Sequence, residues 1–396
     1  MNNFSEITPN KNSDGILKKL PSSVKVFCVG GAVRDTLLNK KNADRDYLLV
    51  GADANLLIKI GFISVGNDFP VFLHPISKEE FALARTEKKK GRGHKAFVFN
   101  SSKTVSLKDD LKRRDFTINS MAIDESGKLI DFFSGKNDLE KKIFKHIGPE
   151  FSEDPLRLLR LARFLSVFPE FNVHPSTVRL CEDIVKSKEI LNLSKERIWG
   201  EFVKGLIGKN PLAMTNFLVK TGTWALISKE NKLSDHVLNL LKRATESNLS
   251  EFWKVAIIFL DCDNEKIHCL IPKEVKTCKK ILNEFIFLLS DFANLKKNQE
   301  LFCKVILHFF EHSDFHRKPE RFDSLLKLMP SIYENNNFSD LNIDSKILKN
   351  IIYTLVKTSL NMVVKNAAAN KKPIKSSIQA FRVNLIKKIL KQELKS

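Results

Sequence analysis

Residues 29 to 51 read VGGAVRDTLLNKKNADRDYLLVG: two glycines, an arginine and an Asp-Arg-Asp that runs straight into an apolar stretch. Asp44 and Asp46 stand two apart at the head of a strand, DYLLV, so alternation turns both side chains to one face, close enough to hold divalent cations between them. Mg²⁺ takes hard oxygen ligands, typically one or two carboxylates plus substrate phosphates, and metals so held serve phosphoryl or nucleotidyl transfer. Upstream, Gly30 and Gly31 end the strand VKVFCV and open a short helix, AVRDTLL, whose free N–H groups favour a triphosphate. Arg34, one turn in, adds a charge-assisted contact. Each half also has a plainer reading, Gly-Gly as a tight turn and DxD as a solvated strand start; the two in this order and spacing are much rarer.

The chain around this stretch is 396 residues long, enough for two or more domains, and its 43% hydrophobic content is that of a globular protein. Lys and Arg number 66 against 46 Asp and Glu, a net charge of +20 that attracts polyanions, nucleic acid among them; A/T-biased coding yields the same vocabulary. The six cysteines form no CxxC pair and have no histidine at zinc spacing, which fits a reducing cytosol and argues against a metal knuckle or disulfide framework. The N-terminus, with Glu6 and Asp14, is unlike a leader peptide, and the apolar run VAIIFL at 255–260 is too short to span a bilayer. The expectation is a cytoplasmic protein with no membrane partner.

Along the chain, residues 24 to about 148 mix strand and helix signals. FPVFLH and EEFALART look like a strand pair, the charged EKKKGRGHK from Glu87 to Lys95 like a flexible loop or solvated hairpin tip, and AFVF like a strand. After residue 150 helical periodicity takes over, in EDPLRLLRLARFLSVF, SKERIWGEFVKGLI and LFCKVILHFFEH. An α/β head followed by a long helical remainder is the simplest parse.

Two further motifs stand out. KRRDFTINSMA at 112–122 places a basic pair before an amphipathic segment, as a solvated helix start also does. In EDPLRLLRLARF at 153–164, Pro155 suits the first helical position with Asp154 as N-cap. At about 100° per residue, Asp154, Arg157, Arg160 and Arg163 form one drifting polar stripe opposite Leu158, Leu159, Ala162 and Leu165. The plain reading is an amphipathic helix with an i,i+3 ion pair between Asp154 and Arg157. The chemical reading rests on the bases. Cytosine and adenine present an exocyclic amine donor beside a ring-nitrogen acceptor, whereas guanine and uracil present a ring N–H donor. A carboxylate next to an arginine therefore complements C and A and leaves unmatched polar groups against G and U.

GGAVRD at 30–35 with DRD at 44–46, followed by RRDxxxN and EDxxR, resembles the signature of nucleotidyltransferases of the DNA polymerase β superfamily, specifically the class II bacterial CCA-adding enzymes. The resemblance is specific from about residue 24 to 205. It implies an α+β fold: a polymerase β-like head with a mixed or antiparallel sheet at 24–148 behind a polar extension at 1–23, a helical neck at 149–208, and a helical body and tail at 209–396. It also implies an enzyme that adds or repairs the 3′-terminal CCA of tRNA from CTP and ATP, with Mg²⁺ on Asp44 and Asp46. Gly31, Arg34, Arg114 and Asn119 would serve the triphosphate side, Asp154 and Arg157 with Glu153 would select the nucleotide, and Arg160 and Arg163 would bind it. The segment 87–95 takes the place of the family's mobile loop for the switch from C to A. Poly(A) polymerase or a partial CC- or A-adding enzyme is the runner-up within this chemistry; a non-catalytic RNA-binding relative and a small-molecule nucleotidyltransferase are more distant rivals.

Beyond about residue 210 the likeness thins. Some relatives carry an HD phosphohydrolase domain there, but this chain has Leu260-Asp261 where His-Asp is expected, and His236 and His268 have no suitable companions in sequence; no HD-type activity is expected. HRKPERFDSLLKLM at 316–329 keeps a faint likeness, and the basic KNAAANKKPIKSS at 365–377 would suit the acceptor and TΨC arms of tRNA.

Overall fold

A computed structural model describes residues 4–11, 14–40, 44–65, 71–89, 97–336 and 341–393. The chain forms two compact units, Met1–Glu201 with Lys220–Leu226, and Phe202–Val219 with Ile227–Ser396. The architecture is α+β, with strands in the first unit and helices throughout the second.

In the first unit, β1 (Lys25–Val29) leads into α1 (Gly31–Leu37), β2 (Asp46–Val50), α2 (Ala54–Ile60), β3 (Ile63–Val65), β4 (Val71–Leu73) and β5 (Glu80–Leu83). A hairpin, β6 (Thr86–Lys89) and β7 (Phe97–Asn100), precedes α3 (Leu107–Lys112), β8 (Met121–Ile123), β9 (Leu129–Asp131), α4 (Gly135–Glu140) and β10 (Ile143–Phe144). The main sheet has the order β3-β4-β5-β2-β1-β8-β9 and is mixed: β2 lies antiparallel to β1, with Asp46 opposite Val29, and parallel to β5, with Asp46 opposite Glu80. The central strands are apolar over consecutive residues because both faces are covered. On one face Phe27, Val29, Leu48 and Ala122 pack with Leu107 and Leu111 of α3. On the other, Tyr47 stacks on Phe81 with centroids 4.7 Å apart and Phe62 meets Phe81 edge-on.

The first unit continues through α5 (Leu156–Val167), β11 (Asn172–Val173), α6 (Pro175–Lys186) and the start of α7 (Lys195–Leu206). A phenylalanine cluster seats α5 against the head. Phe164 meets Phe116 and Phe144 at 5.8 Å each, and Phe144 meets Phe171 at 5.1 Å. Each such pair adds about 0.5–1.5 kcal/mol beyond its burial, so the arginine face of α5 is held in a defined orientation to the segment carrying Phe116.

Three expectations change. Glu87 to Lys89 are strand, paired antiparallel with residues 97 to 99, so the segment belongs to a hairpin, the second of the two readings, with its first residues in the strand rather than the tip; residues 90–95 lie outside the described residues, as do Phe69 and Pro70 of FPVFLH. KRRDFTINSMA does not start a helix: it follows α3, which Ser106 and Asp109 open with a capping box, and passes through a 3₁₀ turn at Thr117–Asn119 into β8. The N-terminal extension is packed through Ile7, Leu17 and Leu20, which are buried.

The second unit has its own core, in which Phe285 stacks on Phe309, and Phe315 meets Phe309 and Phe322. Asp344 is buried and held by Lys296 and the Tyr333 hydroxyl at 2.7 Å each. His236 is half-buried, with its pKa lowered by burial against a small opposing effect of Asp261, and Asp261 accepts from Ser234. The His268 backbone N–H donates to the Ile227 carbonyl. All six cysteines are buried, and none is in a disulfide. Among the described residues, no helix is long and apolar enough to cross a membrane.

Candidate active site

The edge of the sheet where β1 ends and β2 begins opens into a cleft of about 530 Å³. Every site residue expected from sequence lines it except Asp44 and Glu153: Gly31, Arg34, Asp46, Arg114, Asn119, Asp154, Arg157, Arg160 and Arg163. Asp44 is exposed, two residues ahead of Asp46, where the strand starts, and its charge reaches the Asp46 carboxyl. With Arg113 and Arg197, the lining holds seven arginines against Asp46, Asp115 and Asp154, a surface made for a polyphosphate.

Asp46 has a raised pKa. Burial is the main cause, followed by the like charge of Glu80, with Arg114 opposing and Asp44 adding. Among the described residues no three His, Cys, Asp or Glu side chains form a ready metal cage. Two carboxylates crowded by a third nevertheless fit a hard divalent cation that takes its other ligands from substrate and water, because the cation would relieve the mutual repulsion.

Gly30, rather than Gly31, is the glycine the geometry requires. Its φ is +71°, and a Cβ there would meet Arg114 Nη1 at 2.9 Å, whereas one on Gly31 would make only an ordinary contact with Arg34 at 3.6 Å. Because α1 is two turns long, its dipole is modest, and the arginines carry most of the positive potential. Arg34 forks onto Asp35 at 3.0 and 2.9 Å and donates through Nη1 to Asn119 Oδ1 at 2.5 Å. Asn119 in turn donates to Asp115 Oδ1 at 2.9 Å, and Asp115 Oδ2 receives Arg160 Nε and Nη2 at 2.9 and 2.6 Å. Burial pushes the Asp115 carboxyl up, but Arg160, the Asn119 amide and Arg157 outweigh it and hold the pKa at about 2. This chain of contacts runs from Arg34 on α1 to the arginine face of α5.

A second buried carboxylate, Asp110, holds both arginines of the RRD motif. Oδ1 takes Arg113 at 2.7 Å and Oδ2 takes Arg114 at 3.1 Å. Burial opposes its ionisation, and the two arginines outweigh burial to keep its pKa low. Arg113 also reaches Glu87 of β6 at 2.8 Å, which ties the hairpin base to the cleft.

Asp154 and Arg157 line the same wall but do not pair with each other. Asp154 precedes the helix, with φ −113° and ψ 101°, and Pro155 is the cap residue; its Oδ1 accepts the Leu156 N–H at 3.1 Å and its Oδ2 meets Arg197 at 3.2 Å. The expected i,i+3 ion pair is missing because that contact needs both residues within helical backbone. Arg157 instead donates to the carbonyls of Glu150, at 3.0 Å, and Arg113. Arg163 pairs with Glu201 at 2.7 Å and lies over the Phe164 ring.

Sequence reading missed Gly30 as the constrained glycine, and missed Glu80, Asp110, Asp115 and Arg197. Asp115 stood inside a quoted motif. Arg197 stood in SKERIWGEF, read only as an amphipathic helix, and nothing local marked it.

The model of the Poly A polymerase head domain matches residues 26–145. The chain is 38% identical over 310 residues to a CCA-adding enzyme of Coxiella burnetii, covering 77% of this chain and 81% of that one. It is 34% identical over 412 residues to a CCA-adding enzyme of Buchnera aphidicola, covering 92% and 98%. Among solved structures it resembles the Thermotoga maritima CCA-adding enzyme complexed with tRNA, with a TM-score of 0.58 at 19% identity over 93% of this chain and 98% of that one. With the head domain matched and these identities spanning most of both chains, the protein belongs to the CCA-adding enzymes, a family of nucleotidyltransferases.

Proposed function

We propose that this chain adds or repairs the 3′-terminal CCA of tRNA, using CTP and ATP and releasing pyrophosphate, in the cytoplasm. Its family uses a divalent metal; here Mg²⁺ on Asp44 and Asp46 would supply the charge that makes the tRNA 3′-hydroxyl a nucleophile and offsets the leaving pyrophosphate. The observation that carries the reading is that Asp154 and Arg157 line the same cleft as Gly31, Arg34 and Asp46, so base selection and phosphate binding act on one nucleotide.

Arg34 and Arg114, with the backbone at Gly31, bind the triphosphate, and Asn119 keeps Arg34 oriented by accepting its Nη1 hydrogen. Arg160 and Arg163 line the wall beside them. Arg157 uses two of its five N–H groups on carbonyls, so the rest are available to the ring nitrogen acceptor of C or A. Asp154 keeps unused lone pairs for the exocyclic amine. We assign residues 24–148 to catalysis, 149–208 to nucleotide selection and 209–396 to tRNA binding, the last in keeping with the net charge of +20.

The test supplies tRNA transcripts ending before CCA, after C and after CC with CTP, ATP or both, with Asp46→Ala as control. Extension by CCA that needs both nucleotides and Asp46 is the expected result. Long A tails, or binding without incorporation, would overturn it.

A further inference from the structure

The ladder that holds Asp46 to Val29 and Glu80 begins at Asp46 itself, so strand hydrogen bonding leaves the peptide joining Asp44 to Asp46 to be fixed by other means. Arg45 supplies them. Alternation turns it to the face opposite Asp46, the side of Tyr47 and Phe81. There its Nε lies 2.9 Å from Glu79 Oε1 and its Nη1 donates to the Glu6 carbonyl at 2.9 Å. These partners come from two chain segments other than its own strand. The segment carrying Glu6 is itself anchored: Ile7, Leu17 and Leu20 are buried, Lys11 donates to the carbonyls of Pro21 at 3.0 Å and Val24 at 2.7 Å, and Asp14 pairs with His74 at 3.4 Å.

An ion pair 45% exposed on the arginine side contributes only about 0–1 kcal/mol to stability. Contacts this weak energetically yet spread over two distant segments restrict position more than they stabilise the fold. Carboxylates that share a cation must be held to within about 0.5 Å.

We propose that Arg45 is a positioning residue for the Asp44–Asp46 cation site, and that the packed N-terminal segment braces it through the Glu6 carbonyl. The inference rests on Asp44 and Asp46 being the metal-binding pair.

The test uses the full chain and Mn²⁺ as probe, with free Mn²⁺ read by electron paramagnetic resonance. Arg45→Gln should weaken Mn²⁺ binding about tenfold, the low end for partners that orient metal ligands. It should also lower kcat with CTP and ATP alike, leave both KM values unchanged and leave the melting temperature unchanged. Arg45→Lys, which keeps the charge but not the fork, should fall between. Unchanged Mn²⁺ affinity, or a loss that only follows a fall in melting temperature, would overturn the proposal. If Arg45→Gln does not fold, Glu79→Gln removes the same contact from the other side and is read by the same criteria. Asp46→Ala separates the two readings. If it abolishes Mn²⁺ binding while Arg45→Gln and Glu79→Gln change nothing, this proposal alone fails; if Mn²⁺ binding survives it, the metal pair itself is misassigned and both fall.

Discussion

Arg114 lies over Gly30 so closely that a Cβ on Gly30 would stand 2.9 Å from Arg114 Nη1. The turn that ends β1 is therefore built around a guanidinium, and the φ of +71° at Gly30 belongs to a backbone region that side chains disfavour. Gly30→Ala should lose about 1–3 kcal/mol in denaturant unfolding from backbone strain. Because the flexible arginine would move aside, KM for CTP and ATP should rise together. Gly31→Ala, with an ordinary contact to Arg34, should be milder on both measures.

Asp115 links folding to pH. Its folded-state pKa of about 2 lies below the ordinary value of 3.8, so it contributes stability above about pH 4 that is lost as pH falls through 2. The shift corresponds to about 2 kcal/mol. Unfolding measured between pH 5 and pH 2 should show this acid limb in the wild type and a flatter one in Arg160→Met, which lacks the cation chiefly responsible for the low pKa.

Asp154→Asn keeps a side-chain oxygen for the Leu156 N–H, so the start of α5 and the overall stability should change little. Selectivity should not survive, because an amide can donate as well as accept. Incorporation of CTP relative to UTP on a tRNA lacking CCA should fall by about 10–100-fold, the value of one mismatched buried hydrogen-bonding group. Retained discrimination would move base reading away from Asp154.

Glu80 raises the pKa of Asp46 by like-charge repulsion across the β2–β5 pair. In Glu80→Gln that repulsion is gone, so Asp46 should ionise at lower pH. The acid limb of kcat/KM for CTP should move to lower pH, measured at saturating tRNA and fixed divalent metal.

Much of the head is legible in the sequence. VKVFCV, AVRDTLL and DYLLV become β1, α1 and β2 within a residue or so, because central strands covered on both faces must be apolar throughout and a Gly-Gly pair punctuates strand from helix. The arginine stripe on EDPLRLLRLARF followed from the helical period and lines the cleft as expected. For KRRDFTINSMA the plainer alternative, a solvated helix start, does not hold, because its residues are set by tertiary partners: Asp115 by Arg160, 45 positions away, and Asn119 by Arg34, 85 positions away.

By itself, then, the sequence determined most of the residues that line the cleft and in what order the elements run, since periodicity, turn chemistry and motif spacing are local properties of the chain. Only the tertiary structure decided how those residues are held. Arg157 is turned to two carbonyls and Asp154 to Arg197, and Asp110 and Asp115 sit as buried anions between arginines. A buried charge must find its counter-charge wherever the packed chain brings one, and that choice is made across sequence distances that no local pattern records.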